Sequence, residues 1–108
     1  MIAKEQRLAK RQIEYIQKKG SKFENKCFIV KHKDALENGR YCIIISKKFA
    51  SKAVERNKLR RQIYEAIRKN QPDSLSQNLI LIPKKGITDK SFAEIESEII
   101  EIFNKLNG

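Results

Sequence analysis

The chain has 108 residues, 40 % of them hydrophobic and 34 % charged, and 24 Lys and Arg against 13 Asp and Glu give it a formal net charge of +11. That length suits one domain over residues 1–108 with a single core, burying about two-thirds of its unfolded surface. No apolar run approaches the roughly 20 residues that span a bilayer, and the mixed, charged opening MIAKEQRLAKRQ carries no secretory pattern, so a cytoplasmic protein without membrane partners is expected.

Lys4 to Lys19 carries Leu8, Ala9, Ile13 and Ile16 on one side among basic residues, which predicts an amphipathic helix ended by Gly20. Residues 1–33 hold ten Lys or Arg against Glu5, Glu14 and Glu24. Lys26 to Lys33 and Arg40 to Ser46 read as strands joined by a turn around Asn38-Gly39. In the second of these, Ile43-Ile44-Ile45 lacks alternation, the mark of a central strand covered on both faces. Cys27 and Cys42 could form one disulfide, although a cytosolic chain usually keeps both as buried thiols. With His32 they make three candidate zinc ligands, one short of a structural set, and no metal site is expected.

The segment from Ser46 to Asn70 is the most informative. It sets nine Lys or Arg (Lys47, Lys48, Lys52, Arg56, Lys58, Arg60, Arg61, Arg68 and Lys69) against only Glu55 and Glu65. Such a concentration points to a polyanionic partner. Residues Ala53 to Lys69 suit a helix, and a turn of about 100° per residue aligns Asn57, Arg61, Tyr64 and Arg68 in a stripe. Leu59, Ile63, Ala66 and Ile67 fall opposite, so one side can pack on a sheet. The other is expected to offer guanidinium forks, an amide and a phenol to phosphates, riboses and unstacked bases.

Beyond a polar loop at Asn70 to Asn78, Leu79 to Ile82 repeats the buried-strand pattern and stops at Pro83. Strand, helix and strand then make a crossover unit, whose two strands should be parallel and whose hand is usually right. Ser91 to Leu106 opens with the capping-box pattern Ser91-Phe92-Ala93-Glu94. Its Phe92, Ile95, Ile99, Ile102 and Leu106 form a packing stripe, with Phe103 in the core or at its edge, and Glu94, Glu96, Glu98 and Glu101 make the outer face acidic and poor for RNA.

The run Ser46-Lys47-Lys48, Lys52-Ala53-Val54, Arg56-Asn57-Lys58-Leu59-Arg60-Arg61 and Glu65 closely resembles the signature of the bacterial ribonuclease P protein subunit. Arg7-Leu8 and Gly20 resemble the family's amino-terminal helix and its end, Phe28-Ile29-Val30 its first strand, and Leu79-Ile80-Leu81-Ile82 with Lys84 its last. Some positions depart from the pattern. Tyr64 stands where the family usually has Arg, Lys58 and Arg60 exchange the usual Arg and Lys, and Lys31 replaces a common Tyr. The first helix carries Ile13, Tyr15 and Ile16 where aromatics are common.

The resemblance implies an α+β fold: a small sheet of about four strands with helices in a two-layer sandwich, whose strand-helix-strand crossover is left-handed. It also implies a protein that binds the ribonuclease P RNA subunit and the 5′ leader of precursor tRNA, while the RNA binds Mg2+ and hydrolyses the phosphodiester. Lys47, Lys48, Lys52, Arg56, Asn57, Lys58, Arg60, Arg61, Tyr64 and Arg68 would then contact RNA. Ile13, Ile16, Phe28, Val30 and Lys31 are candidates to line a leader groove, each of the apolar four being equally compatible with the core and Phe28 favouring it.

No side-chain catalytic set is legible. A nuclease with its own chemistry would want paired His residues, a Lys and His pair, or carboxylates gathered around metal ions, and the chain has a single His. Neither a Gly-rich phosphate loop nor an organic-cofactor motif is present. A ribosomal or chaperone-like RNA-binding module would share this charge and fold, and a self-sufficient nuclease is the enzymatic alternative.

Overall fold

The computed structural model describes residues 8–35, 39–46, 52–72 and 75–107. Its centre is strand β4 (Gln77–Pro83), the apolar run that the sequence singles out, paired on both sides. On one side lies β2 (Phe28–Asp34), antiparallel, with Val30 opposite Leu81; on the other lies β3 (Tyr41–Ile43), parallel, with Cys42 opposite Ile80. Strand β1 (Ser21–Glu24) adds to β2 antiparallel, giving a mixed sheet in the order β1-β2-β4-β3. Helix α1 (Lys10–Lys19) precedes β1, α2 (Ala53–Asn70) connects β3 to β4, and α3 (Phe92–Asn107) follows a 3-10 turn at Ile87–Asp89. This is the expected α+β architecture, with the parallel pair across the α2 crossover.

The link between β2 and β3 is not a hairpin, contrary to the turn expected at Asn38-Gly39; Asn38 itself lies outside the described residues. The backbone beyond β2 bonds to the approach to β4 instead: Ala35 N–H donates to the Ser76 carbonyl at 2.8 Å and Gly39 N–H to Leu75 at 2.7 Å. Arg40 N–H donates to Asn78 Oδ1 at 3.0 Å. The chain thus crosses the start of β4 and puts β3 on its far side, with β4 inserted between β2 and β3. The apolar run Leu79-Ile80-Leu81-Ile82 is thereby paired on both edges and covered on both faces, which suits a strand without polar alternation.

Alternation along each strand divides the sheet into two faces. On the first, Phe28, Val30, Tyr41, Ile43, Leu79 and Leu81 pack against Leu59, Ile63, Ala66 and Ile67 of α2 and Ile95, Ile99, Ile102 and Phe103 of α3. Phe103 is therefore core, its ring set edge-on to Tyr41 with centroids 6.2 Å apart. On the second face, Ile80 is covered by Leu8 and Ile16, and Ile13, Cys42, Ile44 and Ile82 pack around them. The layer of α2 and α3 on the sheet is thus supplemented by α1 beneath it. Ile43-Ile44-Ile45 is covered on both sides as expected, yet β3 is an edge strand, its outer side met by Leu8 N–H donating to the Tyr41 carbonyl at 2.9 Å.

That bond also explains why α1 starts later than the sequence suggests. Leu8 is held extended against β3, and the described helix begins after Ala9, whose N–H is capped by Gln12 Oε1 at 3.0 Å. Cys27 and Cys42 are free thiols in the clusters on the first and second face respectively, so no disulfide joins them. Ser91 and Glu94 make the expected reciprocal cap of α3: Ser91 N–H donates to Glu94 Oε1 at 3.1 Å and Glu94 N–H to Ser91 Oγ at 3.2 Å. These bonds hold the Glu94 carboxyl below the usual carboxylate range.

Candidate nucleic-acid interface

Helix α2 packs on the sheet and on α3 together, so its buried arc is wider than a single supporting surface would give. Leu59, Ile63, Ala66 and Ile67 lie in that arc as expected, but so does Tyr64, only 8 % exposed. The stripe of Asn57, Arg61, Tyr64 and Arg68 is therefore corrected. Its phenol turns into the first core and offers no stacking face to an RNA base. The exposed face is rotated by about 50° from that stripe and centres on Val54, Lys58, Arg61, Glu65 and Arg68. Asn57 is at its margin, and Val54 is 76 % exposed in its midst.

The cations on this face differ in how they are held. Lys58 and Arg61 are exposed and enter no ion pair among the described residues, whereas Arg68 grips both oxygens of Glu65. Lys52 is exposed at the amino end. Arg56 and Arg60 are half-buried on the flank, Arg60 Nη1 lying 3.4 Å from Asn57 Oδ1. Lys69 points toward α3, 3.6 Å from Glu96 and 5.7 Å from the centre of the Phe92 ring, and is partly neutralised there. Lys47 and Lys48, read from the sequence as RNA contacts, lie outside the described residues.

The proposed groove residues divide between the faces. Phe28 and Val30 have no exposed surface and belong to the first core, so neither lines a groove. Ile16 is also buried, as the residue that seats α1 on Ile80. Ile13 and Lys31 remain half-buried on the second face. Strand alternation brings Ile29 and Lys33 to the same side, and Tyr15 of α1, 54 % exposed, stands with its ring centre 6.0 Å from Lys33 Nζ. Ile29, Lys33 and Tyr15 were not among the groove candidates, although the period of two from a buried Phe28 would have pointed to the first two.

Helices α1 and α2, which carry much of the basic charge, thus pack on opposite faces of the sheet. Burial pushes the Cys42 thiol up, and the Arg60 guanidinium opposes the rise. The surface can attract phosphates along α2 and accept flatter, less charged groups over the half-buried isoleucines.

Among the described residues no three His, Cys, Asp or Glu are grouped to hold a metal ion. His32 Nδ1 hydrogen-bonds Gln77 Oε1 at 3.0 Å, and its ring meets Phe23 edge-on at 5.5 Å.

A cationic helix carried on a mixed sheet, with a lysine-edged apolar patch beneath, defines the class: a small α+β domain with a strongly basic helical face. A family model described as ribonuclease P matches residues 2–107. The chain belongs to the bacterial ribonuclease P protein component family. The component from Rickettsia canadensis (strain McKiel) is 35 % identical over 108 residues, covering 88 % of this chain and 91 % of the relative. That from Ectopseudomonas mendocina (strain ymp) is 31 % identical over 71 residues, 66 % of this chain, and the match spans about half of that relative, 53 %. The solved ribonuclease P protein of Thermotoga maritima superposes with a TM-score of 0.80 at 26 % identity, over 94 % of this chain and 98 % of that one. A Staphylococcus aureus ribonuclease P protein mutant with defective mRNA degradation activity gives 0.83 at 28 %, over 96 % and 89 %.

Proposed function

We propose that this chain is the protein subunit of a bacterial ribonuclease P, a ribonucleoprotein endoribonuclease, and that it binds the catalytic RNA subunit through α2 and the 5′ leader of precursor tRNA over the α1 side of the sheet. The observation that carries this reading is the exposed face of α2, where Lys58 and Arg61 stand free of ion pairs among the described residues. Two RNAs brought together repel through their phosphates. A protein with a net charge of +11 screens that repulsion and lowers the concentration of divalent cation needed for the same end.

In this reading Mg2+ is held by the RNA, and the phosphodiester joining leader to mature 5′ end is hydrolysed there, with no protein-borne catalytic residue. The protein's own residues bind and position. Lys52, Arg56, Lys58, Arg60, Arg61 and Arg68 meet phosphates, Asn57 a ribose or base edge, and Ile13, Tyr15, Ile29, Lys31 and Lys33 the leader strand. Tyr15 is the aromatic surface available for stacking on that side.

The test is 5′ processing of a precursor tRNA by a bacterial ribonuclease P RNA at low, near-physiological magnesium, with and without the protein. Strong stimulation, lost in the Lys58 and Arg61 double alanine variant and partly restored by added magnesium, is expected. Absence of stimulation despite tight RNA binding would assign the chain a different RNA partner. Cleavage by purified protein without RNA would overturn the assignment of chemistry to the RNA.

A further inference from the structure

Glu65 is the sole acid at the centre of the exposed α2 face; Glu55, the helix's other acid, is turned to its flank by about 80°. Glu65 lies four residues after Arg61, seven after Lys58 and three before Arg68, positions that share one side of a helix. Arg68 Nε donates to Glu65 Oε2 at 3.1 Å, and Arg68 Nη2 donates to Oε1. Both carboxylate oxygens and the Nε–Nη2 edge of the guanidinium are thereby engaged, Nη1 taking no part in the pair, and each side chain is about half exposed.

We propose that Glu65 is a specificity-determining residue of the RNA-binding face: it holds the Nε–Nη2 edge of the Arg68 guanidinium in the free protein, so that an RNA must displace it to grip that cation side-on. The proposal rests on the RNA-binding reading of α2. Exposed pairs of this kind are weak, and a well-placed phosphate can replace the carboxylate. Once displaced, however, Glu65 still faces the phosphate backbone and repels it. An RNA shaped to engage Lys58, Arg61 and Arg68 together more than offsets that repulsion. A strand that merely lies along the helix does not, and its binding is suppressed selectively. The hydrogen bonds from Arg68 hold the Glu65 carboxyl below the usual carboxylate range, so the brake stays charged at neutral pH.

The experiment measures binding of full-length protein to a bacterial ribonuclease P RNA and to a mixed-sequence RNA of the same length, across a series of potassium concentrations. Four proteins are compared: the natural chain, Glu65→Gln, Glu65→Asp and Arg61→Ala. Glu65→Gln should tighten binding to both RNAs, to the mixed sequence more, so that their affinity ratio falls roughly fivefold. Its log-log salt slope should steepen by about 0.7 to 0.9. Glu65→Asp keeps the charge and should keep the discrimination. An unchanged ratio and slope in Glu65→Gln, while Arg61→Ala weakens both complexes, would overturn the role of Glu65 and leave the α2 reading standing. If Arg61→Ala also changed nothing, the RNA-binding face itself would be wrong. Gln matches Glu in helix propensity, so a thermal melt close to that of the natural chain is expected and certifies the comparison.

Discussion

The side-chain amide of Asn25 donates to the main-chain carbonyl of Glu98 at 3.2 Å, fastening the β1–β2 turn to the middle of α3. The same side chain turns its Oδ1 to the N–H groups of Cys27 at 3.1 Å and Phe28 at 3.0 Å. One residue therefore closes the turn and ties it to an element 73 positions away. Asn25→Ala leaves those partners underserved and should cost about 1 to 3 kcal/mol, read from urea unfolding. Asn25→Asp keeps the two acceptor bonds but loses the donor, and places a second carboxylate beside Glu98. It should fall between, and equal stability of all three proteins would remove Asn25 from this role.

Gly39 passes so close to β4 that a β-carbon there would lie 1.9 Å from the Gln77 carbonyl oxygen. Since the obstacle is backbone, Gly39→Ala must displace the start of the central strand, at a cost of about 2 kcal/mol or more. Gly86 is the contrast. Its φ of 98° is left-handed, but a β-carbon added there would meet nothing within 4 Å. Gly86→Ala should therefore cost only the backbone term of about 1 kcal/mol, and Gly86→Asn less. A reversed ranking of Gly39→Ala and Gly86→Ala in denaturation midpoints would contradict this account.

Tyr64 stands where the family pattern carries a cation, yet here it fills the flank of the first core. Tyr64→Ala should lose about 3 kcal/mol or more. Tyr64→Arg, which restores the pattern, sets a charge in a site that is 8 % exposed, and should destabilise rather than simply tighten RNA binding. Thermal melts together with RNA titrations separate the two effects. A Tyr64→Arg protein as stable as the natural chain would show that this flank opens at little cost.

Burial pushes the Tyr41 hydroxyl from its ordinary value of 10.0 up to about 12. In the unfolded chain this tyrosine ionises first, so between those values the unfolded state binds fewer protons and gains on the folded one. The contribution is fully present below pH 10 and is lost as pH rises toward 12, on the order of 2 kcal/mol in all. Tyr41→Phe should flatten that part of the pH–stability curve, measured by urea midpoints at rising pH. Cys27 and Cys42, both raised by burial, continue to titrate in both proteins and leave a shared residual slope. Identical curves would acquit Tyr41.

Much of the fold was legible because it depends on local pattern. The apolar period placed α2 at Ala53 and α3 beside its Ser91–Glu94 cap, and the continuous apolar run marked the strand that became β4. The signature from Ser46 to Glu65 carried the family, since its spacing is written in the chain. Strand β1 escaped notice: Ser21-Lys22-Phe23-Glu24 has one apolar residue, and it pairs with β2 through backbone groups that composition does not record.

The sequence by itself determined the charge, the positions of α2, α3 and the central strand, and the set of cations from which the RNA face is drawn. Only the tertiary structure decided which of those side chains reach solvent. Tyr64 is a polar member of a helical stripe until α3 and the sheet widen the buried arc and take it in. Phe28 and Val30 are groove candidates until the pairing of β2 with β4 turns them to the first core. Helical and strand periods fix the spacing of side chains around their own axis, but the direction in which water lies is set by neighbours distant in sequence.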